Sequence, residues 1–135
     1  MILPCSALSM TLQRDSGLLA VVCNDRVVRL VDIETQKVVR ELKGHRGRIL
    51  DLVSIAHLHH VPNTRLTRIP PQTFSPDSRW LVTTSLDFII RTFDIPTGRL
   101  IDAFRTPSVA TSVAFSPTND FLATSHTDSV GVYLW

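Results

Sequence analysis

A chain of 135 residues with 44% apolar side chains is long enough for one modest domain and has the composition of an ordinary globular protein. Its formal charge of +2 is no argument for nucleic-acid binding, because Arg65 and Arg68 supply it from one atypical segment, 53–72, that contains no acid. There is no run of about 18 apolar residues and no signal-like leader, so neither a membrane nor a secretory route is expected, and Cys5 and Cys23 lack the spacing of a zinc site or a disulfide framework, which makes a reducing compartment the default.

In chain order, 7–12 and 18–22 read as strands joined by a turn at Arg14-Asp15-Ser16-Gly17, followed by strands 27–31 and 38–42 on either side of the polar Glu34-Thr35-Gln36. The imperfect alternation of Val27-Val28-Arg29-Leu30-Val31 suits a strand covered on both faces. Gly44-His45-Arg46-Gly47 opens a second group, whose first strand starts at 48–52. The meander resumes with a strand ending at Phe74, the turn Ser75-Pro76-Asp77-Ser78, strand 80–84, a turn at Leu86-Asp87, strand 89–93, and strand 100–104 reached through Pro96-Thr97-Gly98. Pro76 presets φ in its turn, and Asp77, Ser78 and Asp87 can bond their own backbone. The β-branched and aromatic runs between these turns fit a pleated, half-buried surface. A third group has strands 112–115, 121–124 and 130–135 around the turn 116–119.

These groups are repeats. Ser75-Pro76-Asp77 returns as Ser116-Pro117-Thr118, Phe74 returns as Phe115, and SLDFIIRTFD at 85–94 matches CNDRVVRLVD at 23–32 and, more loosely, SHTDSVGVYLW at 125–135. The turn aspartates Asp25, Asp87 and Asp128 are 62 and 41 residues apart. A four-stranded propeller blade repeats at about 40 to 45 residues, so the first interval is about twenty too long.

The order Gly44-His45, strand, Ser75-Pro76-Asp77, Asp87, Phe93-Asp94 resembles the WD-repeat family, whose blade runs from a Gly-His to a Trp-Asp. The resemblance implies an all-β, partial β-propeller of about three antiparallel four-stranded blades, the last incomplete. Blade 1 covers about 5–43, blade 2 about 44–105 with the insertion 53–72, and blade 3 about 106–135, truncated. It also implies a buried hydrogen-bond set of His45, Thr83 and Asp87 in blade 2, with Phe93 where Trp is expected. Blade 1 keeps Asp25 but has Val21 and Val31 at the other places; blade 3 keeps Thr124, Asp128 and Trp135 without a Gly-His. Three blades leave two open flanks, so a fragment of a larger protein or a faulty gene model is expected.

Removing 53–72 joins Leu52 to Thr73 and brings the aspartate interval to 42, beside 41 for the next pair. We expect this segment to be a translated intron. Sixty nucleotides preserve the frame, Val53-Ser54 can be encoded by an intron's usual start, and Gln72 by its usual end. The rival readings are a genuine surface loop and a functional binding loop. Phe74 should win the strand places that Val53-Ser54-Ile55 also fit, pair with strand 80–84 and be buried, with 57–71 an exposed excursion.

Candidate chemistry is thin. His57, His59 and His60 with Cys5 or Cys23 have no fixed second ligand pair, so no metal and no cofactor is expected. Ser85, His126 and Asp87 have repeat roles and no Gly-x-Ser-x-Gly elbow, so no catalytic residue is expected. His45 and Asp87 are read as a structural hydrogen bond from loop to turn. Arg40, Lys43, Arg46 and Arg48 form a possible partner-contact loop, with a solvated loop as the plainer reading.

DSRWLVTTSLDFIIRTFDIPTGRLIDAF and SPTNDFLATSHTDSVGVYLW are further similar to the second propeller of the U3 snoRNA-associated WD-repeat subunits of the UTP-B subcomplex. There, too, one extra residue and Gly131 place Trp135 seven positions after Asp128. This resemblance implies a nucleolar, non-enzymatic scaffold in ribosomal RNA processing and small ribosomal subunit assembly. Its partners would be other protein subunits of a pre-ribosomal complex, with U3 snoRNA or pre-rRNA associated through that complex, and no small-molecule substrate. The alternatives are a WD-repeat adaptor of another complex, such as a ubiquitin-ligase substrate receptor, and remotely a metal-dependent enzyme using the His-rich segment.

Overall fold

Short β-branched runs divided by turns give strands throughout, and the computed structural model, which describes residues 3–13, 17–55, 79–116 and 121–135, contains eleven of them. β1 (Ala7–Gln13), β2 (Leu18–Cys23), β3 (Val28–Asp32) and β4 (Lys37–Leu42) form one antiparallel sheet in sequence order. β5 (Ile49–Ile55), β6 (Trp80–Ser85), β7 (Ile89–Asp94) and β8 (Arg99–Arg105) form a second. β9 (Ala110–Phe115), β10 (Leu122–His126) and the short β11 (Val132–Leu134) form a third, three-stranded sheet, the incomplete blade.

Period-2 alternation decides what each sheet buries. Ala20 and Val22 of β2, with Val28, Leu30 and Leu42, face Ile49, Leu52, Leu81, Phe93 and Ile95 of the second sheet in one core cluster. The opposite face of the second sheet presents Val82 and Ile90 to Ala110 and Val113, with Phe104, Phe115 and Leu122 packed alongside. The outward face of the first sheet carries Val21, Cys23 and Val31, covered by Leu3, Cys5 and Leu19. These stacked sheets make an open, partial propeller.

Two expectations are corrected. β5 runs without a break through Ile55, pairing Val53 with Val82, Ser54 with Leu81 and Ile55 with Trp80, while β7 takes the other edge of β6. Among the described residues both edges of β6 are therefore filled, by β5 and β7. Continuing a strand already started requires no loop closure, whereas a segment twenty residues on must close one. Phe74 itself, the excursion 57–71 and the histidines at 57, 59 and 60 lie outside the described residues. The second concerns the cysteines, which the fold places side by side with Cα atoms 6.0 Å apart. Residue spacing does not announce this, because β1–β2 pairing brings them together: Ala7 lies opposite Cys23, and the Asn24 amide donates to the Ser6 carbonyl at 3.0 Å.

Candidate functional site

The loop between β4 and β5 lies flat against the β6–β7 turn. A Cβ at Gly47 would stand 2.6 Å from the Asp87 nitrogen, so only glycine permits the approach. This close fit carries His45 inward, where its Nε2 lies 2.8 Å from Thr83 Oγ1 and its ring 5.5 Å from that of Phe93. Phe93, standing where a Trp is expected, is fully buried and contributes contact in place of a donor. Burial, helped by the Arg91 charge, lowers the His45 pKa to about 4, so the imidazole is neutral at physiological pH.

Asp87 does not bond the His45 side chain. It accepts from the backbone amide of the next residue, Arg46, at 2.9 Å, from the Ile89 amide at 3.2 Å, and from the Ser85 hydroxyl. Its main partner is Arg91, whose Nη1 and Nη2 donate at 3.0 and 2.7 Å in a fork. Burial alone would raise this carboxyl; the Arg91, Ser85 and Arg46 hydrogen bonds outweigh it and hold the pKa far below the usual carboxylate range. Arg91 was not among the residues singled out from the sequence, although its signal was present. Both Asp25 and Asp87 are followed four places later by an arginine.

The first blade repeats that fork with a looser surround. Arg29 donates to Asp25 at 2.7 and 3.2 Å and to Glu41 at 3.1 Å, and its Nη1 lies 3.1 Å from Cys5 Sγ. The Arg29 hydrogen bond lowers the Asp25 pKa against the opposing effect of burial. Val21 and Val31 replace the polar members and are buried in the outward cluster. Cys5, Cys23 and Asp25 have their ligand atoms within 4.8 Å of one another, but a guanidinium already occupies Asp25 and touches Cys5, which opposes a second cation.

The third blade builds its set differently. Trp135 Nε1 donates to Thr124 Oγ1 at 2.9 Å, Thr124 Oγ1 lies 2.8 Å from His126 Nε2, and His126 Nδ1 lies 3.1 Å from the Ser108 carbonyl. A carbonyl only accepts, so Nδ1 carries the proton and Nε2 accepts from the threonine. His126 occupies the register place of Ser85, two residues after the threonine, so the strand supplies the imidazole that the missing Gly-His would have supplied. Asp128 takes no part among the described residues. In the first two turns the residue after the aspartate is left-handed, Arg26 at φ 66 and Phe88 at φ 64; here Asp128 itself is, at φ 59, so the turn is built differently.

The four cations expected to act together are separated. Arg40 bridges the first two sheets through the Pro96 carbonyl at 3.0 and 3.1 Å, and Lys43 pairs with Glu41 at 2.8 Å. Arg46 and Arg48 instead line a cleft with Arg26 of the β2–β3 turn.

The model of the WDR36/Utp21 second beta-propeller domain matches residues 62–135. The chain belongs to this family. Among curated WDR36/Utp21 relatives, it is 47% identical over 123 residues to the U3 small nucleolar RNA-associated protein 21 homolog of Schizosaccharomyces pombe, covering 91% of this chain and 11% of that protein. It is 44% identical over 126 residues to WD repeat-containing protein 36 of Homo sapiens, covering 93% and 12%. Against U3 small nucleolar RNA-associated protein 21 of Saccharomyces cerevisiae it is 39% identical over 127 residues, covering 94% and 11%. The chain therefore spans about a tenth of the length of these relatives. The β-propeller domain of Cps50 (Swd1) from Myceliophteria thermophila superposes with a TM-score of 0.69 at 17% identity, over 99% of this chain and 40% of that one, a likeness of fold alone. In this WDR36/Utp21 chain the polar side chains described above tie turn to loop and blade to blade. Ser112 Oγ and the Val113 amide add a further tie, donating to Asp51 at 2.7 and 2.9 Å across the second and third blades.

Proposed function

We propose that this chain is part of a non-enzymatic scaffold subunit of the small-subunit processome, acting in the nucleolus in ribosomal RNA processing and small ribosomal subunit assembly. The observation that carries the reading is identity of 47% and 39% across more than nine-tenths of the chain with two proteins named for association with U3 small nucleolar RNA. The internal chemistry supports the scaffold part. His45, Thr83 and Asp87, and likewise Thr124 and His126, are engaged in hydrogen bonds that hold the blades, which leaves the rims to meet partners. The partners are other protein subunits of a pre-ribosomal complex, with U3 snoRNA or pre-rRNA reached through them. The blades divide at about 5–43, 44–105 and 106–135, and His45, Thr83, Asp87, Asp25 and Thr124 are its structural residues.

The test is recovery of U3 snoRNA with the tagged chain from nuclear extract. Enrichment over an unrelated propeller is expected. Equal recovery of the two, with ubiquitin-ligase subunits enriched instead, would replace this reading with an adaptor of another complex.

A further inference from the structure

We propose that the cleft where the β2–β3 turn meets the loop between β4 and β5 docks an acidic peptide segment of a partner protein. The cleft measures about 410 Å3 and is lined by Leu8, Asn24, Arg26, Arg46, Gly47 and Arg48. Three guanidinium groups share that lining with no carboxylate. The acids of the two adjoining turns are already committed, Asp25 to Arg29 and Asp87 to Arg91, and Lys43 is neutralised by Glu41. Among the described residues Arg26, Arg46 and Arg48 form no ion pair. Arg26 is also fixed in place, because its Nη1 donates to the Arg46 carbonyl across the cleft at 2.9 Å and leaves its remaining donors for a ligand.

The shape of this positive spot selects the class of ligand. Guanidinium forks match carboxylates in pairs, and Leu8, 44% exposed, offers an apolar wall for a side chain beside the acid. Nucleic acid fits less well. No aromatic ring lines the cleft for a base to stack on, and three clustered arginines make a spot, where a nucleic-acid backbone follows a stripe. The inference rests on the scaffold reading for the statement that the partner is a protein.

The experiment is fluorescence anisotropy with the full chain and a labelled peptide of Glu and Asp around one Leu. The same peptide with Gln and Asn, and a single-stranded oligouridylate of similar charge, are run beside it. The acidic peptide is expected to bind, to weaken as salt rises, and to lose about 10-fold in affinity when Arg46→Glu and Arg48→Glu are combined. Arg99→Glu, on the exposed outer strand β8, is expected to leave binding unchanged. A urea midpoint for the double variant guards against unfolding; if it falls, Arg48→Gln alone is used, with a loss of about 3-fold expected. Equal binding of the neutral peptide, or unchanged affinity in the folded arginine variant, overturns the proposal. Preferential binding of the oligouridylate overturns it in favour of nucleic acid. Recovery of U3 snoRNA by the arginine variant keeps the two readings apart, since peptide binding can fail while U3 association persists.

Discussion

Replacing Arg91 by Met keeps the length of the side chain's stem and removes the charge that holds Asp87. In this pair the side chains of Arg91 and Asp87 are 5% and 11% exposed, so water cannot take the place of the guanidinium. The carboxylate would keep the Ser85 hydroxyl and the amides of Arg46 and Ile89, but it would be a buried anion without a counter-charge. Breaking such a pair costs about 3 kcal/mol, at the lower end of the usual range because those three donors remain. Arg29→Met is the internal control. Asp25 and Glu41 are 38% and 37% exposed, so water can rehydrate both, and a cost of about 1 kcal/mol is expected. Urea unfolding of the two variants reads the difference directly. With a slope of about 2 kcal/mol/M, the midpoint should fall by about 1.5 M for Arg91→Met and about 0.5 M for Arg29→Met. Equal shifts would refute the reasoning, because they would mean that burial of the acid does not set the value of the pair.

Three further outcomes are expected. His45 has a folded pKa near 4 against an unfolded value of 6.5, so the unfolded chain takes up the proton first and stability falls as pH drops from 6.5 to 4; His45→Gln should flatten the urea midpoint across that window, and an unchanged slope would count against a buried neutral imidazole. Thr124→Val should cost about 1 to 3 kcal/mol, because it strands Trp135 Nε1 and His126 Nε2 together, and the accompanying change in Trp135 emission should precede global unfolding. Deleting 53–72 joins Leu52 to Thr73 and places Phe74 opposite Leu81, where Ser54 now stands; the urea midpoint should rise, and a chain that no longer folds would show the segment to be an integral part of the blade.

How much of this could be read beforehand depended on the distance over which each feature is specified. The strands were legible because their signals are local: the Glu34-Thr35-Gln36 turn and the runs on either side of it lie within a few residues of the β3 and β4 that they produce. His45 and Thr83 were legible as a pair only through the repeat, 38 residues apart. The substitution of His126 for the absent Gly-His was not legible. It depends on a strand residue pointing to the same side as the loop histidine does one blade earlier, and position in a repeat does not reveal that. Phe74 misled for a related reason. Its repeat position argued for strand pairing, but Val53-Ser54-Ile55 reaches the same edge of β6 through uninterrupted chain, and contiguity outweighed the repeat. Arg40 and Arg46 were grouped because they are close in sequence, yet opposite ends of one loop separate them: Arg40 belongs to the outer strand and Arg46 to the inner end of the next blade.

The three sets differ in composition because they solve one mechanical problem with whatever donors each blade has. Apolar faces such as Val22 and Leu30 against Leu81 and Phe93 are non-directional, and burial alone would tolerate a small slide of one sheet across another. A slide has to be opposed by interactions that depend on direction. In blade 2 the fork from Arg91 to Asp87, and from Asp87 to the Arg46 amide, pins the β6–β7 turn to the loop leaving blade 1. Arg40 pins the outer edge to the Pro96 carbonyl, and Asp51 pins the inner strand to Val113 of the next sheet. In blade 3 the chain of Trp135, Thr124, His126 and Ser108 binds the strands to the connection from blade 2. The first junction is thus fixed at the loop and at the outer strand, and the second at its inner strands. In blade 1, where Val21 and Val31 stand in place of polar members, directional ties remain from Arg26 of the β2–β3 turn to the Arg46 carbonyl and from Arg40 of the outer strand to the Pro96 carbonyl.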